Sequence, residues 1–378
     1  MFFQLRMIGF VLIILLLYAT NASANYVLFE RAEELTTSDD IIGLAIAVVR
    51  DGKVEAVRTY GKRDLKSEAP VEPTTVFRIA SLSKGFTASL VAMLTEEGAL
   101  SFDDPITSFV SDFRLKHGRQ SRATLGAILS HRVGLPPYAY DNLLEAGTSP
   151  ATIRTRLGGV DPICNVGACY AYQNVAFDAA RFAIETKQEA SFAEALAERL
   201  FIPLQMNSAS VGMAPFIAAP TRAISYTRHS GKGAWREKPV RSAYYNVPAA
   251  GGINASIADM AMWLLTQMGG AQEILSEDVR AMMHSPQVET RAERRMRSLR
   301  AQLNNAWYGY GWRIYDYGGS TVINHSGSVE GYSAQIAFLP EHDVGVVLLT
   351  NSRSREFFEL LPTFLNDELD LPAFGSSD

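Results

Sequence analysis

Two apolar stretches, one near each end of the chain, constrain the fold more than anything between them. "IIGLAIAVVRDGKVEAVRTYG" (Ile41–Gly61) reads as two strands around Asp51-Gly52. That dipeptide suits a two-residue hairpin turn, because both central residues need positive φ. "YSAQIAFLPEHDVGVVLLTN" (Tyr332–Asn351) reads as a second hairpin, turning at Pro340–Asp343. Between them the pattern is mostly helical. Phe86, Leu90 and Leu94 recur at i, i+4 and i+8, and Gly98 is placed to end that helix. Ser191 with Glu194, and Ser256 with Asp259, form capping boxes ahead of further apolar helices. The expected class is α/β of the α+β type. One antiparallel sheet is built from both chain ends and flanked by helices, with an inserted, mostly helical lobe. The sheet lobe is expected over about 25–85 and 250–378 and the helical lobe over about 86–249, forming a single domain over 25–378. A cleft is expected where sheet and lobe meet.

The N-terminus predicts export. "MFFQLRMIGFVLIILLLYATNASA" carries Arg6, an apolar run from Met7 to Ala19, and small residues Ala22 and Ala24 before Asn25. The run is short for a bilayer span and fits a signal peptide over residues 1–24, an uncleaved anchor being the alternative. A soluble periplasmic or secreted protein with no stable membrane span is expected. Cys164 and Cys169 are then read as a disulfide, with two free thiols as the alternative. A net charge of −5 offers no basic field to nucleic acid. The basic run Arg291–Arg300 is interrupted by a glutamate and apolar residues and reads as a solvated helix or loop.

Three sets of residues bear on chemistry. "FRIASLSKGF" (Phe77–Phe86) places Lys84 three residues after Ser81, at the change from strand to helix. On a helix, i and i+3 share a face, so amine and hydroxyl can meet. A helix cap with a solvated lysine is the alternative. A tyrosine can act as base where a nearby cation lowers its pKa. Of the triplets at Tyr140–Asn142, Tyr172–Asn174 and Tyr244–Asn246, only the second runs straight into an amphipathic helix. Tyr172 is therefore the candidate, a buried structural tyrosine being the alternative. Of two His-Ser-Gly triplets, His229–Gly231 reads as a loop, whereas His325-Ser326-Gly327 follows the strand-like "STVIN". Such a strand can pair with an extended substrate and bring a backbone N–H, that of Ser328, to an oxyanion beside that of Ser81. No HExxH or other metal motif occurs, and no cofactor is expected.

The ordered set Ser81-x-x-Lys84, Tyr172-x-Asn174, His325-Ser326-Gly327 resembles the penicillin-recognising serine hydrolases, in particular the class C β-lactamase-like branch. "LSHRVGLP" (Leu129–Pro136), "FAEALAERLFIPLQM", "AAGGINASIADMAMW" and "YGYGW" stand where that pattern expects them. The resemblance implies an acyl-enzyme on Ser81, with Lys84 and Tyr172 sharing its proton. It also implies Asn174 orienting a substrate amide, N–H groups of Ser81 and Ser328 holding the oxyanion, and His325 lining the substrate strand. The implied substrates are β-lactams or D-amino-acid-containing cell-wall peptides; the alternatives are an esterase or amidase on small acyl substrates and a catalytically poor penicillin-binding or regulatory protein. The third motif departs from the Lys-Thr-Gly of typical class C enzymes. The expectation is that a protonated His325 meets a substrate carboxylate, so that binding weakens as pH rises through its pKa, a neutral hydrogen-bonding or packing histidine being the alternative.

Overall fold

A computed structural model describes residues 26–228, 233–290, 299 and 301–373. The apolar leader, the His229–Gly231 triplet and nearly all of Arg291–Arg300 lie outside the described residues.

Strands β1 (Gly43–Arg50) and β2 (Lys53–Gly61) form the expected first hairpin. Asp51 and Gly52 turn it with φ of 48° and 68°, as a turn matched to strand twist requires. Five further strands lead towards the other chain end: β3 (Val288–Glu289), β4 (Leu303–Tyr308), β5 (Arg313–Tyr317), β6 (Ser320–Val329) and β7 (Tyr332–Leu339). The last, β8 (Val344–Thr350), closes the second hairpin through Pro340–His342 and left-handed Asp343. The eight strands form one sheet in the order β2-β1-β8-β7-β6-β5-β4-β3, antiparallel throughout. Leu44 opposite Thr350 and Arg50 opposite Val344 join the two chain ends, as the second and third strands of the sheet.

β1 is apolar on both faces because both are covered. Leu44, Ile46 and Val48 pack under helices α1 (Tyr26–Thr37) and α4 (Leu360–Glu368). Ala45, Ala47 and Val49 face a second core shared with helices α2 (Ser83–Glu96) and α3 (Ile257–Gln267) and the inserted segments. There Phe86 of α2 stacks on Trp263 of α3, centroids 3.8 Å apart. Gly98, at φ 72°, follows the end of α2 as expected.

Both capping boxes form. Ser256 and Asp259 open α3 in the interior, the serine fully buried, while Ser191 and Glu194 sit in solvent. The buried pair has no water to replace its bonds. Ser256→Ala is therefore expected to lower the unfolding free energy by about 2 kcal/mol and Ser191→Ala by about 1 kcal/mol. Urea unfolding of the two variants measures the difference, and equal losses would refute the burial argument.

Candidate active site

The chain enters α2 through one tight turn, Ala80–Leu82. Ala80 takes φ 49°, a left-handed conformation that costs an alanine energy and persists only where neighbours enforce it. The Ser83 hydroxyl enforces it, donating to the Ala80 carbonyl at 2.7 Å and accepting from the Ile253 N–H at 3.1 Å. Ser83 is thereby buried and structural. Ser81 stands at the cleft, in the wall of a cavity of about 310 Å³. The helix proper begins at Ser83, two residues later than the serine–lysine spacing suggested, yet Lys84 Nζ still lies 3.4 Å from Ser81 Oγ.

Lys84 is completely buried. Its amine donates to Asn174 Oδ1 and to the Ala250 carbonyl, both at 2.8 Å. The orientation of the Asn174 amide follows from its other end, where Nδ2 donates to Asp141 Oδ2 at 2.6 Å. Burial drives the Lys84 pKa well below its ordinary value, with nearby Arg313 acting the same way and Asp141 and Asp178 opposing. A neutral amine has two hydrogens and one lone pair. With both hydrogens given to obligate acceptors, the lone pair is left for the Ser81 hydroxyl.

Tyr172 corrects the expectation drawn from the sequence. A cation beside it was expected to lower its pKa. Burial instead raises the phenol above its ordinary value, outweighing Arg313 and a hydrogen bond from the Ser81 side, both of which favour the phenolate. Lys84 Nζ lies 4.6 Å from the centre of the Tyr172 ring. The geometry therefore puts a depressed amine and a protonated phenol on the same serine.

His325 also differs from expectation. It lies inside the protein, 2% exposed, in a chain of hydrogen bonds whose directions can be assigned. The Gln173 N–H must donate to His131 Nδ1 (3.1 Å), so His131 carries its proton on Nε2 and gives it to the Tyr308 hydroxyl (3.2 Å). Tyr308 then donates to His325 Nε2 (3.0 Å), and His325 Nδ1–H donates to the Ser326 carbonyl (3.0 Å). Every member is satisfied with both imidazoles neutral. Burial, aided by the cation Arg313, pushes the His325 pKa well below the ordinary histidine value. His131 is lowered chiefly by burial. His325 is thus a neutral link between the 131–136 loop and the β6 backbone, and the carboxylate-binding expectation fails on electrostatic grounds.

β6 supplies the opposite wall of the cleft. Its partner β5 pairs only as far as Arg313 opposite Asn324, so on that side, among the described residues, no strand lies beside His325–Val329, and this edge faces the Ser81 turn. A Cβ on Gly327 would stand 2.6 Å from the Ser81 backbone nitrogen. Only glycine permits that approach. Ser326 and Ser328 line the same cavity, and the Ser328 hydroxyl is bonded to that of Ser333 (2.9 Å).

Several residues of the site were not singled out in the sequence. Arg313, at the start of β5, is nearly buried in the cavity wall, its guanidinium carbon 5.5 Å from the Tyr172 ring centre and 5.9 Å from that of Tyr308. Asp141 is the middle residue of a triplet set aside because no amphipathic helix was read after it. Tyr244, from the other discarded triplet, reaches the cavity rim and donates to Glu145 at 2.8 Å. Asp178, buried with its pKa raised to about 6 chiefly by burial, accepts from the Ala249 N–H and so holds the turn that offers Ala250 to Lys84. Its position four residues after Asn174 was the one available signal. Cys164 and Cys169 are bonded to each other. The Cys164 carbonyl packs against left-handed Gly134, fastening the disulfide loop to the 131–136 loop beside Tyr172. Among the described residues no cluster of side chains is suited to a metal ion, and no helix is long and apolar enough to cross a membrane.

A fold whose sheet is built from both chain ends around a mostly helical insert matches known proteins. The sequence profile of the beta-lactamase family fits residues 28–369, and the chain belongs to that family. The octameric penicillin-binding protein homologue from Pyrococcus abyssi superposes with a TM-score of 0.80 at 25% identity, over 91% of this chain and 77% of that one. Unguisins hydrolase ungD of Aspergillus violaceofuscus is 26% identical over 362 residues, 88% of this chain. Protein flp of Staphylococcus aureus strain MW2 is 23% identical over 332 residues, 87% of this chain. The chain spans 63% of the length of each of these two relatives.

Neutral buried histidines have a measurable consequence. At pH 5.5 an unperturbed histidine is mostly protonated, its pKa being about 6.5. The imidazole nitrogens of His131 and His325 are expected to keep neutral-form NMR shifts at that pH. Because their folded pKa values are depressed, their stabilising contribution is full above about pH 6.5 and is lost as pH falls from there. The loss is up to about 1.4 kcal/mol per pH unit for each histidine. Protonated-form shifts for His325 at pH 5.5 would refute the neutral chain.

Proposed function

We propose that this protein is an exported serine hydrolase that forms an acyl-enzyme on Ser81, with β-lactams or D-amino-acid-containing peptides bearing a free carboxylate as substrates. The observation that carries the reading is the pairing of two features in one cavity. Ser81 faces a lysine amine with depressed pKa, and a fixed cation, Arg313, stands in the same wall.

In this mechanism neutral Lys84 removes the Ser81 proton as Oγ attacks the substrate carbonyl. The developing oxyanion lies between the N–H groups of Ser81 and Ser328. Tyr172, held protonated, passes a proton to the leaving nitrogen and regains one through Lys84. Water then attacks the ester and frees Ser81. Asn174 keeps one amide hydrogen beyond its bond to Asp141, and this is available to a substrate carbonyl. Arg313, which does not lose its proton in the working pH range, takes the carboxylate role that a lysine in the third motif would fill. The Cys164–Cys169 bond supports export, since such bonds persist in oxidising compartments. N-terminal sequencing of the mature protein, expected to begin at Asn25, tests that part.

Labelling with a fluorescent penicillin followed by peptide mass spectrometry is expected to place the adduct on Ser81, and none is expected on Ser81→Ala. An adduct elsewhere overturns the assignment. Tyr172→Phe is expected to lower acylation about 10²- to 10⁴-fold. The pH profile of kcat/KM should rise as Lys84 loses its proton, at a pH below the ordinary lysine range. Arg313→Gln is expected to cut kcat/KM about 10- to 100-fold for a carboxylate-bearing substrate while sparing a neutral ester of similar shape. Equal losses on both substrates would remove Arg313 from carboxylate recognition and favour an esterase.

A further inference from the structure

The cleft does not end at Ser81. A second cavity, of about 300 Å³, adjoins the first and shares Tyr244, Ser328 and Val329 with it. Its wall carries three cations, Lys238, Arg241 and Arg353. Among the described residues their side-chain nitrogens have no recorded hydrogen bond or ion pair. Two carboxylates also reach this wall, and both are engaged. Glu330 pairs with buried Arg78 at 2.5 Å and accepts the Arg241 backbone N–H at 2.9 Å. Glu145 accepts the Tyr244 hydroxyl. With the charge of Glu330 offset by Arg78 from behind, the cavity presents a net positive face.

The direction of β6 relates this cavity to the reaction. Asn324 lies opposite Arg313, Gly327 lies against Ser81, and Ser328 and Val329 enter the second cavity. From Asn324 to Ser328 the strand advances roughly 13 Å, at about 3.3 Å per residue. A substrate extended along this edge, with its carboxylate at Arg313 and its reacting carbonyl at Ser81, delivers its acyl portion to the second cavity. We propose that this cavity is an anion subsite that receives a second carboxylate, carried on the acyl side of the substrate. The inference rests on the proposed orientation at Ser81 and adds a charge requirement at the far end of the cleft.

The test uses binding, so that it does not depend on turnover. N-succinyl-D-alanyl-D-alanine and N-butyryl-D-alanyl-D-alanine differ by a terminal carboxylate at nearly constant length. Their dissociation constants for Ser81→Ala are measured by calorimetry at about 50 mM and about 500 mM salt. At low salt the succinyl peptide is expected to bind about five- to tenfold more tightly. The preference should shrink at high salt, because the arginines are exposed and screened. In Ser81→Ala/Arg241→Gln/Arg353→Gln the preference should fall to near unity, chiefly through weaker succinyl binding. Equal binding of the two peptides, binding of neither, or a preference unchanged in the arginine variant overturns the subsite. Penicillin labelling at Ser81 reports separately on the parent reading: labelling without succinyl preference leaves the acyl-enzyme in place and removes only the subsite.

Discussion

Burying the amine of Lys84 is the constraint on which the site depends. An ammonium removed from water is costly, so burial favours the neutral amine, whose two hydrogens both find acceptors here. The acceptors, Asn174 and Ala250, come from segments 90 and 166 positions away in sequence. Each is held in turn by a buried carboxylate, Asp141 for the first and Asp178 through Ala249 for the second. Reactivity and packing are here one arrangement: what makes the lysine tolerable in the core also aims its lone pair at Ser81.

The same burial divides labour among the positive groups. Imidazole can shed its proton, so buried beside Arg313 the two histidines become neutral relay members that brace the strand. Guanidinium does not shed its proton under these conditions, and Arg313 remains the charge in the cavity. A motif lacking its usual lysine still leaves a cation in the cavity wall, because the adjacent strand β5 carries Arg313. The β6 edge turns this into direction, since one end meets Arg313, the middle meets Ser81 through Gly327, and the other end opens on the second cavity.

Short-range signals carried the fold far. The Asp51-Gly52 turn, the second hairpin, both capping boxes and the helix after Ser81 each depend on fewer than about a dozen neighbouring residues, within the reach of turn and periodicity rules. Ser81, Lys84, Tyr172 and Asn174 stood out for a related reason: they lie at loop–helix junctions, where local geometry limits where a side chain can go. The charge states did not stand out. Tyr172 was expected to be acidified and His325 to be cationic, and burial reversed the first and excluded the second.

The chain by itself therefore determined the strands at its two ends, the helical pattern between them and the ordered set of chemically able residues, because each is encoded in spacing along the backbone. Only the tertiary structure decided which of those residues hold protons and which neighbours join them. Asp141 lay within a triplet that looked like a decoy, and Arg313 at the start of an ordinary strand. Neither position has a local signature. A pKa is set by desolvation and by charges across space, and the groups that set it here meet only when the sheet closes through β1 and β8.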